Sequence, residues 1–168
     1  MRRDRRQCAA SPKERRQEFS TDDALCCDSS QVMQAVEGNF PRFGNFSRLG
    51  GSQTLTFTTN GPLQAGSSVG INLRLGFLYN YNTSVTVQSA NAQSMTFTTV
   101  PGHMLYPAQI SFSASQASST AINFNIYLVG NFVNAQSRIG YYAGGSNFEN
   151  AQWNHFLGQV SSFCQGGH

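Results

Sequence analysis

The chain has 168 residues and a mass of 18.3 kDa, room for one domain with its own core and too little for two of ordinary size. Its net charge of +3 is unevenly placed: seven of the eleven Lys and Arg residues precede residue 17, and from Gly50 to His168 the only charged residues are Arg74, Arg138 and Glu149. So sparse a body cannot supply a cationic nucleic-acid surface, and no run reaches the roughly 20 apolar residues of a membrane-spanning helix or resembles a secretory signal.

Residues 1–28 are polar and carry Arg2, Arg3, Arg5, Arg6, Lys13, Arg15 and Arg16 with little to bury, the composition of a basic, disordered arm. Such an arm can hold nucleic acid through phosphate contacts, although a solvated tail is the simpler and favoured reading. Residues 29–168 read as a single β-rich domain. Ser29 or Ser30 is placed to cap a short helix ending at Gly38, with Val32, Met33 and Val36 on one face. Phe40, Phe43 and Phe46 follow in a segment that fits neither period, and are read as an irregular wrap whose rings plug the core.

From Ser52 the apolar residues alternate, the mark of strands buried on one face. Leu55 and Phe57 define the first strand, and Val69, Ile71, Leu73 and Leu75 the second, with Arg74 on its solvent face. Asn80–Asn82 are read as a turn, Val85 and Val87 as a third strand, and Met95, Phe97 and Thr99 as a fourth. A loop over Pro101–Pro107, carrying His103, leads to a fifth strand with Ile110 and Phe112. The sixth alternates Ile122, Phe124, Ile126 and Leu128 with polar or tyrosine residues. Short connections predict antiparallel neighbours.

At Gly144-Gly145 the period changes again. Ser146 and Glu149 have capping-box spacing, which accounts for Glu149 without a catalytic role. Trp153, Phe156, Leu157, Val160, Phe163 and Cys164 then form one helical stripe, giving a C-terminal helix over residues 147–165. The predicted fold class is therefore α+β: a curved antiparallel sheet of about six to seven strands covered by one long helix.

Two passages are similar to the helix-grip fold of START-related and polyketide-cyclase-like proteins. One is Met95-Thr96-Phe97-Thr98-Thr99-Val100-Pro101-Gly102-His103 leading into Ile110-Ser111-Phe112-Ser113-Ala114; the other is Gln152-Trp153-Asn154-His155-Phe156-Leu157. The resemblance covers residues 50–165. It implies a cavity between sheet and helix that binds a hydrophobic or lipid-like small molecule, lined by Leu73, Phe97, Phe112, Phe124 and Trp153, with His103 at its mouth. The short first helix and the scarcity of charge depart from the family pattern.

Against that reading stands a second. Uncharged Ser, Thr and Asn faces lack the repulsion that keeps sheets apart, so a homo-oligomer or a surface, fibre or capsid-like subunit with a basic arm is the alternative. An enzyme is the weakest class. No acidic residue lies near His103 in sequence to orient it, there is no Gly-x-Ser-x-Gly elbow or phosphate-cradling glycine loop, and no metal or other cofactor is implied. Cys8, Cys26, Cys27 and Cys164 permit three disulfide pairings, and Asn45 and Asn82 begin glycosylation sequons. Both features favour export, while the missing signal makes a soluble cytoplasmic protein the leading expectation.

Overall fold

The computed structural model describes residues 17–20, 28–77, 79–119, 121–132 and 146–166, the first four, 131, 132 and 146 by backbone alone. Most of the basic arm, Arg138 and the Gly144-Gly145 pair lie outside the described residues. All six strands read from alternation are present: β3 (Gln53–Thr58), β4 (Ser68–Leu75), β5 (Tyr79–Asn91), β6 (Ser94–Thr99), β7 (Leu105–Gln116) and β8 (Ile122–Phe132). Two short edge strands join them, β1 (Gln17–Ser20) and β2 (Phe46–Arg48), making one antiparallel sheet in the order β1-β8-β7-β6-β5-β4-β3-β2. Register breaks at Val87/Ser89 and at Leu105/Ala108 mark bulges, the devices by which a sheet bends sharply enough to curl.

Gln17–Ser20 were assigned to the arm, yet they pair with Asn123–Ile126 of β8. Nothing in four residues of mixed polarity announces a strand. The partner's free edge supplies the reason, since backbone groups there need no particular side chains to pair.

Between β1 and β2, at opposite edges of the sheet, the chain forms α1 (Ser29–Gly38) and α2 (Phe40–Gly44). The cap of α1 is Asp28, whose carboxylate accepts from Ser30 N–H at 2.8 Å and Gln31 N–H at 3.4 Å, rather than either serine. These bonds hold the Asp28 carboxyl below the usual carboxylate range, first through the Ser30 hydroxyl and backbone. The segment expected to be irregular is helical. Asn39 caps it by accepting from Arg42 N–H at 3.3 Å, and Pro41 in the first turn has the fixed φ that suits a helix start. Its rings do plug the core: Phe40 meets Phe57, Phe97 and Phe112 edge-on at 5.1–5.5 Å. Gly44 lies so close to Phe57 that an added Cβ would stand 2.8 Å from the ring.

Asn80–Asn82 are not a turn but part of β5, facing Asn72–Arg74 of β4. The chain reverses earlier, at Gly76, where φ is +67°. Asn72 Nδ2 donates to Asn80 Oδ1 at 2.8 Å and to Asn82 Oδ1 at 2.6 Å, so the asparagines that look like turn formers instead bond across the two strands.

The long helix α3 spans Ser146–Cys164, within a residue of expectation at both ends. Its expected stripe faces the sheet: Phe156, Leu157, Val160 and Cys164 are buried, Trp153 and Phe163 half-buried. Phe148 and Gln152 extend the buried face one helical turn at a time toward the N-terminus.

Candidate functional site

The concave face of the sheet is filled at one end and hollow at the other. The hollow is a cavity of about 610 Å³, partly open to the outside, between the sheet and the N-terminal half of α3. Its size falls in the range of small-molecule sites, roughly 300–1,000 Å³. Leu55, Ile71, Leu73, Phe97, Ile110 and Phe112 form its floor; Phe148 and Trp153 of α3 form its roof. The β6–β7 loop and Leu128 of β8 contribute further wall.

Of the six residues that the helix-grip resemblance implies for a cavity, five line this one: Leu73, Phe97, His103, Phe112 and Trp153. Phe124 does not. It belongs to the solid core, where its ring packs 5.9 Å from that of Phe156. Period-two alternation places Phe124 on the concave face but carries no information about which end of that face is filled.

The loop that bears His103 is pinned by Tyr81 of β5. The Tyr81 hydroxyl donates to Gly102 O at 3.0 Å and accepts from Met104 N–H at 2.9 Å. Gly102 turns the loop with φ of +93°, and His103 N–H closes it on Val100 O at 3.1 Å. His103 Nδ1 accepts from Leu105 N–H at 3.1 Å, which places the proton of the neutral ring on Nε2. Burial pushes the imidazole below its ordinary pKa, so at neutral pH it is an uncharged donor.

The remaining polar wall is mostly engaged. Thr99 Oγ1 donates to Ala108 O at 3.3 Å and accepts from Ala108 N–H at 2.9 Å, and Gln109 Nε2 donates to Gln88 Oε1 at 2.8 Å. Glu149 Oε1 accepts from the Trp153 indole N–H at 3.4 Å, a role that capping-box spacing alone did not suggest. Gln152 differs. It is 1% exposed, and its Nε2 is buried with no hydrogen-bond partner. An orphaned buried amide typically costs about 1–3 kcal/mol. A polar residue interrupts the apolar stripe at Gln152, and its position four residues before Phe156 is the one sequence signal that places it on the buried face.

Arg74 is exposed, its Nε donating to Gly76 O at 3.2 Å. No helix among the described residues is long and apolar enough to cross a membrane.

No family model matches the chain, and no curated protein sequence matches it. Solved structures do. The KanY protein (ms6282) aligns with a TM-score of 0.57 at 10% identity, over 88% of this chain and 97% of that one. The Aha1 dimer from Colwellia psychrerythraea aligns at 0.54 and 12%, over 89% and 97%. Protein Ms6760 from Mycobacterium smegmatis aligns at 0.53 and 9%, over 90% and 92%. The fold is helix-grip-like. At these identities the likeness is one of backbone architecture, and fold alone does not assign a function.

Proposed function

We propose that this protein binds a hydrophobic small molecule, without catalysis, in the cavity between the sheet and α3. The observation that carries the reading is the cavity wall, about 610 Å³ of space bounded largely by aliphatic and aromatic side chains. An apolar molecule there leaves water for a surface that is mostly apolar. Leu73, Phe97, Phe112 and Trp153 supply contact area, and His103 supplies a neutral polar group held in place by Tyr81.

Catalysis finds less support. A general acid–base needs a partner that orients it for proton transfer; the Nδ1 of His103 is taken up by the backbone amide of Leu105, and no carboxylate partner of it is seen among the described residues. Glu149, the one carboxylate of the wall among the described residues, is bonded to Trp153.

Purified protein should bind an environment-sensitive apolar fluorophore with one site per chain, displaceable by aliphatic or aromatic compounds. Saturation at a hundred times the dissociation constant raises stability by about 2.7 kcal/mol. Leu73→Trp, which fills the floor, should abolish binding and keep the fold. Large regular particles in light scattering, with no probe bound, would instead favour the assembling-subunit reading of the charge-poor surface.

A further inference from the structure

Resting on the cavity reading, we propose that the ligand is an uncharged hydrophobic molecule bearing a carbonyl oxygen, which accepts a hydrogen bond from the side-chain amide of Gln152. Two independent features of the wall lead there.

The first is the distribution of charge. No lysine or arginine lines the cavity among the described residues. Arg42 lies over the Phe43 and Phe163 rings and Arg48 over Phe148, both outside the wall, and Arg74 is exposed. Among the described residues the wall's ionisable groups are Glu149, His103 and Tyr79. Burial raises the Tyr79 phenol and lowers the His103 imidazole, so both are neutral at pH 7. Among the described residues, a carboxylate ligand would therefore leave water for an apolar wall that offers it no cation, which is strongly unfavourable. A fatty acid is disfavoured; its neutral ester or ketone counterpart is not.

The second is the kind of polar group left over. Thr99 uses its hydroxyl on Ala108 in both directions, and Gln109 donates to Gln88. The wall group that is both buried and unpartnered is a donor. Gln152 Nε2 is buried and unpartnered deep under the helix, and His103 presents an N–H on Nε2 because Leu105 occupies Nδ1. A ligand acceptor would satisfy the first, since Gln152 is itself part of the cavity wall. A pure hydrocarbon would leave the amide orphaned in the bound state, where no water reaches it.

Myristic acid, methyl myristate and tetradecane, matched in chain length, separate the possibilities by displacement of an apolar fluorophore at neutral pH. Methyl myristate should bind at least tenfold more tightly than tetradecane or myristate. Gln152→Leu should erase the ester's advantage over the alkane while tetradecane binds as before. Should that variant fail to fold, Gln152→Met and the ranking on the unaltered protein serve the same purpose. A second arm uses Leu128→Arg, at a partly exposed point of the wall; the added cation should raise myristate affinity and leave the ester unchanged. Myristate binding as tightly as the ester to the unaltered protein, or an ester advantage surviving both Gln152 variants, overturns this inference and leaves the cavity reading standing. Failure of all three compounds to bind overturns both.

Discussion

The two ends of the concave face are built from the same strands with the same alternation and roofed by the same helix, yet one is solid and the other hollow. At the solid end Val69, Val87, Met95 and Ala114 point inward and join one core cluster with residues of α1 and of the C-terminal half of α3, and each is 2% exposed or less. At the hollow end Leu55, Leu73 and Leu75 point inward too, but they are half-buried and face empty space. The difference lies in what reaches them. Val32, Met33 and Val36 of α1 join the core cluster of the solid end, whereas neither short helix extends under the N-terminal half of α3 except through Phe40, at the boundary between core and cavity. A cavity in this fold is thus an end of the sheet that the short helices leave uncovered.

The largest test of that contrast is a pair of truncations. Phe156 is fully buried among Phe40, Phe43, Phe112 and Phe124; Phe156→Ala should cost about 3–5 kcal/mol in urea unfolding, because the packed end cannot collapse around the void. Leu128→Ala, on the cavity wall, should cost no more than about 1 kcal/mol, since its side already faces space. Equal costs would mean that the two ends are packed alike.

A second effect belongs to the solid end alone. Cys164, buried at the last turn of α3, is disulfide-bonded, and the other three cysteines lie outside the described residues. A reductant should lower the stability of the native protein by about 2–4 kcal/mol and leave a Cys164→Ser variant unaffected.

The pH responses of the two ends have opposite signs. His103, at the hollow end, has a folded pKa below its ordinary value of 6.5 because burial disfavours the imidazolium. The unfolded chain then binds more protons, so stability is full above pH 6.5 and falls as the pH drops toward the folded value. His103→Asn should flatten that decline in melting temperature. Glu37 of α1 behaves conversely: burial raises its carboxyl above 4.5, and its Oε1 is buried without a partner. Here the folded state holds the proton more tightly, and stability is lost as pH rises through the folded pKa. Glu37→Gln should therefore raise the melting temperature at pH 7, by a margin that shrinks as the pH approaches 4.5. This is the smallest expected effect, because the residue is only half-buried.

Sequence periodicity by itself determined six strands, the face each one buries and the long helix to within a residue. Those properties follow from side-chain direction, which alternates along a strand and recurs along a helix whatever the rest of the molecule does. Tertiary structure alone decided the rest. Asn80–Asn82 have the composition of a turn and became strand because Asn72 stands opposite them. Gln17–Ser20 became an edge strand because β8 offered unpaired backbone. Phe124 and Phe97 obey the same rule of alternation and both join the core, yet only Phe97 also borders the cavity, a difference that tertiary packing decides. Gln152 is the sharpest case: a polar residue on an apolar stripe is unreadable until its surroundings show whether its amide has a partner, because hydrogen bonding is satisfied between residues distant in sequence.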